Sequence, residues 1–237
     1  MSSDGVASNV APNLAWDERA AERSPLVRRS RNRGIEQARV IVDAARQLIE
    51  RQGEFTTQEL VKEAGIALQT FYRYFGSKDQ LLLALIEQMV GGQAAAMEAE
   101  AAAIEDPLAR LHFYVTAPLH FLADEHSRGS ARAITAEHWR LHQLFPDAIE
   151  DASRPMVELL RRTLVDAQAA GSVTANDAER DAWLMVEIVR STFHHYAFAE
   201  LEPSLDAVAE HVWTFCLRGV GGDPPRLAQT MEGRVDG

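Results

Sequence analysis

A single cysteine, Cys216, among 237 residues excludes an intrachain disulfide and any zinc site built from a cysteine cluster. Long apolar runs are also missing. The longest, Leu81 to Ile86, is far too short to span a bilayer, so no membrane partner is expected. The first residues, MSSDGVASNV, lack the basic and apolar regions of a signal peptide. No stretch reads as a β-strand, and no internal repeat occurs. A Gly-rich phosphate loop, a dinucleotide-binding fingerprint and a serine or cysteine nucleophile motif are all absent, which leaves no enzyme class and no cofactor indicated. What remains is ordinary for a folded globular protein, with 46% hydrophobic and 25% charged residues. The expectation is a soluble, cytoplasmic, all-α protein.

Acidic residues outnumber basic ones, 35 to 24, for a net charge of −11. The imbalance is not uniform. Residues 1–80 hold 12 basic and 11 acidic side chains, residues 81–237 hold 12 and 24, and the segment 28–78 alone holds 10 and 6. A mildly basic head on an acidic body suits a protein that meets phosphates with one end only.

Residues 1–33 carry Pro12, Pro25 and the cluster Arg28, Arg29, Arg31 and Arg33 without an apolar period, and read as a flexible basic arm or a solvated tail. From Gly34 the period is helical, with Ala38, Ile41, Val42, Ala45, Leu48 and Ile49 on one face and Gly53 as the stop. Thr56 and Glu59 form a capping box for a two-turn helix that ends at Gly65, and Ser77 with Gln80 offers a second box opening a long helix. Asp106-Pro107 starts the next helix, which Pro118 interrupts. Further helices are expected near 130–142, 147–171, from Asn176 or Asp177 to Ala199, and from Pro203-Ser204 to Gly219. The resulting division is an arm (1–33), a helix-turn-helix domain (34–80), a larger helical domain (81–220) and a flexible tail (221–237).

Between the two capping boxes lies GIALQTFYRYFGSKDQLL, residues 65–82. Spaced at 100°, Phe71, Tyr74 and Phe75 share one side of a short helix and can anchor it to Ile41, Leu48 and Leu60. Gln69, Tyr72 and Arg73 share the other, with Leu68 and Thr70 at its margins. Gln and Arg are the side chains that pair bidentately with adenine and guanine edges in a major groove. Tyrosine hydroxyls and lysine ammonium groups, here Tyr72 and Lys78, suit phosphates. Two short helices joined at Gly65 and backed by a longer one make a helix-turn-helix, and its expected partner is double-stranded DNA.

The string T-T-x-E-L-V-x-E-A-G-I-x-x-x-T-F-Y-R-Y-F-x-S-K-D-x-L-L, within residues 34–85, resembles the DNA-binding domain of the TetR family of bacterial transcriptional regulators. The resemblance implies that Gln58, Leu68, Gln69, Thr70, Tyr72 and Arg73 face the groove, and that Thr57, Tyr72 and Lys78 meet phosphate beside the cap residue Thr56. It implies a homodimer through the last two helices, a pseudo-palindromic operator, and repression relieved by a small molecule. Ala67 departs from the pattern, since it stands where a serine often caps the recognition helix.

Aromatic and flexible side chains at inward positions of the larger domain suggest a mainly apolar effector pocket: Phe113, Phe121, Trp139, Met156, Leu160, Met185, Val189 and Phe193. His120, His142 or Thr163 would orient the ligand, and Tyr114 lies in the same region. No pair of Arg or Lys falls at inward positions, which favours a neutral or weakly charged effector. On the last helix, Val212, Phe215 and Cys216, with Trp213 beside them, form the stripe expected at the dimer interface. The alternative rests on His138 and His142, four apart and therefore on one helix face, as a metal-responsive site or the centre of a metal-dependent helical enzyme. No metal site is assigned.

Overall fold

The computed structural model of the chain describes residues 25–175, 177–199 and 204–223. Every regular element among them is helical: α1 (Pro25–Gln52), α2 (Thr57–Glu63), α3 (Leu68–Phe75), α4 (Lys78–Glu100), α5 (Pro107–His120), α6 (Glu125–Leu144), α7 (Pro146–Ala169), α8 (Ala178–Phe198) and α9 (Leu205–Gly219). Single 3-10 turns, Ala101–Ala103 and Phe121–Ala123, follow α4 and α5. Residues 1–24 of the expected arm, the cap candidate Asn176, Pro203 and residues 224–237 of the expected tail lie outside the described residues.

Helix α1 begins at Pro25, well ahead of the Gly34 boundary drawn from periodicity, so Arg29, Arg31 and Arg33 stand on its first turns and not in an arm. Proline suits a first helical position and arginine is a good helix former. The apolar period is missing there because the described side chains of these turns are exposed and have no core to face.

The turns of the head follow local chemistry. Thr56 Oγ1 accepts from the Glu59 N–H at 3.2 Å, and the Glu59 carboxylate accepts from the Thr56 N–H at 2.7 Å. These bonds hold the Glu59 carboxyl below its ordinary range, the Thr56 backbone N–H contributing most. Helix α2 ends in a Schellman turn, with Ile66 N–H donating to Val61 at 3.0 Å and Gly65 N–H to Lys62 at 3.3 Å. Gly65 there has φ of 63°, a region that side-chain-bearing residues avoid. Ala67 gives α3 no side-chain cap, as its chemistry requires, whereas Ser77 Oγ accepts from Gln80 N–H at 3.2 Å to open α4.

Around these turns closes a core of Ile41, Leu48, Leu60, Phe71, Leu81 and Leu85. Three members of the same core come from farther along the chain: Leu141 of α6 and Ile149 and Ala152 of α7. Polar links reinforce the junction, from Arg140 to Asp79 at 2.7 Å and from Gln88 to Asp43 at 2.9 Å. Helix α4 runs without a break across residues 80–81, where the sequence division falls. Head and body therefore share a spine and part of a core.

A second core fills the body, where α4 lies along α7, α7 along α8, and α5 against α9. Leu111, Leu119, Leu164, Ala182 and Leu217 are at its centre. Removing a shared side chain should register on both sides of the junction. Leu141→Ala is expected to cost about 2–5 kcal/mol and to accelerate hydrogen exchange at the α2 and α3 amides as well as in α6. Unchanged protection of the head amides would show that the two cores are separable.

Candidate functional site

On α3, Phe71 is fully buried and stacks on Phe75 with centroids 6.2 Å apart, while Tyr74 and Phe75 are half-buried. This is the anchoring side expected from the spacing. The opposite side presents Leu68, Gln69, Tyr72 and Arg73, all exposed, with Thr70 half-buried at the margin. Arg73 lies over the Tyr74 ring at 5.4 Å, which keeps the guanidinium close to the helix. Thr56 and Gln58 are exposed and Thr57 is half-buried at the start of α2.

Lys78 occupies a different setting from the open phosphate donor expected. Its ammonium donates to the Phe55 carbonyl at 2.6 Å and sits 4.5 Å from the Phe55 ring centroid. It therefore pins the start of α4 to the corner between α1 and α2. One of its three N–H donors is used there, and two remain.

A cavity of about 730 Å³ opens where head and body meet. Its walls come from α1 (Asp43, Arg46, Ile49, Glu50), α4 (Ile86, Met89, Gly92 among others), α5 (Tyr114, Pro118), α6 (Ser130, Ile134, His138), α7 (Ser153, Met156, Leu160) and α8 (Val189, Arg190, Phe193, His194). Of the effector residues expected from sequence, Phe121, Met156, Leu160, Val189 and Phe193 line it, and so does Tyr114. Phe113, Met185, His120, His142 and Trp139 do not. Phe113 and Met185 pack in or against the body core. His120 pairs on the surface with Asp206 at 3.4 Å, Trp139 and His142 are exposed, and the Thr163 hydroxyl is spent on the Leu159 carbonyl at 2.9 Å. His138 does face inward, whereas Trp139, the next residue, points about 100° away around the helix and His142, one turn on, stays exposed, because periodicity gives faces but not the side from which neighbours arrive.

The expectation that no pair of Arg or Lys falls at inward positions is also corrected. Arg46 and Arg190 both line the cavity. Arg46 pairs with Glu50 at 2.7 Å, and Arg190 bonds to Glu187 and to Ser153 Oγ, the latter at 2.9 Å. A half-buried arginine held by an i−3 glutamate looks in sequence like any surface ion pair.

His138 and His194 meet edge to face with centroids 4.9 Å apart, and His138 stacks on His142 at 6.1 Å. Among the described residues no group of three or more His, Cys, Asp or Glu side chains is placed to hold a metal ion, so the metal reading of His138 and His142 gains no support. Burial first, and then His194, Arg190 and His142, push His138 down to about 3. Burial and Arg190 push His194 down to about 4. Both rings thus stay neutral in the fold at pH values where a free imidazole takes a proton. Their contribution is complete above the unfolded value near pH 6.5 and declines as pH falls towards these lower values. Urea melts of wild type and His138→Gln at pH 7 and pH 5 should show wild type losing about 2 kcal/mol more over that interval. Equal losses would contradict a buried neutral His138.

The stripe expected at the dimer interface faces inward. Val212, Trp213 and Cys216 are buried in the body core, where Trp213 meets His112 edge to face at 5.2 Å, and burial pushes the Cys216 thiol up to about 11. Only Phe215 of that set points outward. It joins Leu184 and Phe198 of α8 among large apolar side chains that are uncovered, at 61%, 51% and 56% exposure. Among the described residues no helix is long and apolar enough to cross a membrane.

This geometry can be set beside known proteins. Residues 41–85 match the profile of bacterial regulatory proteins of the tetR family. A tetR-family transcriptional regulator from Pectobacterium atrosepticum superposes with a TM-score of 0.65 at 20% identity, over 82% of this chain and 98% of its own. FadR from Bacillus subtilis, solved in complex with stearoyl-CoA, gives 0.59 at 20% identity over 76% and 98%. RolR, solved with its ligand resorcinol, gives 0.62 at 19% identity over 82% and 92%. No curated protein sequence matches the chain. At these identities the structures speak for the fold, and the amino-terminal profile covers the segment that carries the exposed Gln69, Tyr72 and Arg73. Residues 41–85 therefore carry the tetR-family profile of bacterial regulatory proteins, and the chain shares the fold of these regulators.

Proposed function

We propose that the protein is a sequence-specific DNA-binding transcriptional repressor, acting in the cytoplasm as a homodimer on a pseudo-palindromic operator and released when a small, mainly apolar molecule enters the cavity. The observation that carries this reading is the pairing of the exposed α3 face, on a helix anchored by buried Phe71, with a cavity whose wall includes α1 of the same head. Leu68, Gln69, Thr70 and Arg73 would face base edges with Gln58 beside them. Thr56, Thr57, Tyr72 and the two remaining donors of Lys78 would meet phosphate.

FadR and RolR, solved with stearoyl-CoA and resorcinol, support small-molecule control of this fold. Filling the cavity would push on α1 and α4 together, favouring one arrangement of the two heads over another. Gly91 and Gly92 fit such movement. A Cβ at either would meet no atom within 4 Å, so packing does not demand glycine, and each weakens a helix by about 1 kcal/mol relative to alanine.

Two measurements test the DNA and dimer halves. Arg73→Ala or Gln69→Ala should cost about 1–3 kcal/mol of operator affinity and relax base preference. Undiminished affinity and selectivity in a folded Gln69→Ala/Arg73→Ala variant would sink the assignment. For assembly, Leu184→Glu/Phe215→Glu places charge on exposed positions and leaves the buried side of α9 untouched. Light scattering should then show a monomer with weakened operator binding, whereas wild type should be dimeric at micromolar concentration. A wild-type monomer would contradict the reading.

A further inference from the structure

One corner of the cavity brings together four polar side chains, Ser153, Arg190, His138 and His194. Arg190 of α8 donates from Nη1 to Ser153 Oγ at 2.9 Å and from Nη2 to the Glu187 carboxylate one turn back. His138 of α6 and His194 of α8 stand beside it, and Ser153, Arg190, His138 and His194 all border the cavity. His138 is only 9% exposed, and its Nδ1 is buried without a hydrogen-bond partner. The other charged wall residues are on α1 and already engaged, Arg46 with Glu50 at 2.7 Å and Asp43 with Gln88 at 2.9 Å.

The corner has donors in excess. Its two bonds use two of the five N–H donors of the Arg190 guanidinium, and each neutral imidazole adds one N–H. A hydrocarbon placed there would strip water from these groups and return nothing. An amine would bring a second cation against Arg190. A carboxylate offers acceptors only, and its charge-assisted bonds to a guanidinium are about twice as strong as neutral ones. Glu187 pairs with the arginine, yet it lies outside the cavity wall and is a third exposed, so solvent screens its repulsion of an anion inside. Apolar side chains of the same two helices, Met156 and Leu160 of α7 and Val189 and Phe193 of α8, line the cavity beside these groups.

We propose that this corner binds the carboxylate of an amphipathic organic acid, with Arg190 as its principal partner and the acid's apolar body lying against Met156, Leu160, Val189 and Phe193. The inference rests on the cavity being the effector site and adds the chemical class of the effector. It also gives the charge a place to act. His138 lies one turn before Leu141, and Ser153 follows Ala152, so two of the corner's residues adjoin side chains built into the head core.

Displacement of the uncharged fluorescent probe N-phenyl-1-naphthylamine from the full-length protein provides the test. The competitors share one apolar body: 6-phenylhexanoate, its methyl ester and 6-phenylhexylamine. The acid should displace the probe at a concentration roughly tenfold below the ester, and the amine should be weakest. Arg190→Gln should erase the acid's advantage and leave ester and probe binding unchanged, while Arg190→Lys keeps part of it. An ester equal to the acid, or an advantage that survives Arg190→Gln, overturns the inference and leaves the cavity reading intact. If Arg190→Gln does not fold, the wild-type ranking and Arg190→Lys decide. A probe that does not bind overturns the cavity reading, and this inference with it.

Discussion

Leu141, Ile149 and Ala152 belong to body helices by sequence and to the head's core by packing, and most of the architecture follows from that double membership. Two of the head's three helices have little apolar surface to bury, since α2 and α3 span only seven and eight residues. Neither would persist alone in water. Their geometry is held by Phe71, Leu60 and the α1 stripe, and that cluster is completed from the body. The orientation of the exposed α3 face is therefore set in part by helices far along the chain.

The same junction explains where the cavity lies. Helices α1 and α4 contribute one part of its wall and α6, α7 and α8 another, so the cavity is lined by both parties. On the proposed reading no long relay is needed between ligand and DNA face, because the ligand would touch the supporting helix of the head directly. Pro118 stands on the wall near the point where α5 gives way to a 3-10 turn, and it cannot donate to the Tyr114 carbonyl, which loosens that end of the helix.

The head was legible because its signals are local. Thr56 and Glu59 specify a box, Gly65 specifies a left-handed turn, and Phe71, Tyr74 and Phe75 specify a side, each within four residues of its partner. The helices of the body were legible for the same reason, through Asp106, Asp177 and Ser204 at their starts. The cavity was half legible. Met156, Leu160, Val189 and Phe193 fall on inward faces that periodicity can find, whereas Arg190, His138 and Ser153 come together only through the packing of three helices. Trp139 misled because a large aromatic reads as core, although its neighbours leave it on the surface. Val212, Trp213 and Cys216 misled because a stripe shows that a helix has a partner and does not say whether the partner is its own subunit. The hold of Lys78 on Phe55 was not legible because it spans a turn that sequence spacing does not measure. Arg29, Arg31 and Arg33 read as an arm because a solvated turn has no period to show.

A molecule bound in this cavity would act as a removable piece of the folded head. Anything that binds the native state and not the unfolded chain adds RT ln(1 + L/Kd) to stability, where L is its free concentration. Since α1 supplies part of the wall, that increment would fall on the domain with the DNA-facing surface as well as on the body. The heat resistance of the head would then rise and fall with the concentration of effector in the cell, so that occupancy also sets how long the regulator survives proteolysis. Ligand supply would in this way govern the amount of the protein together with its activity.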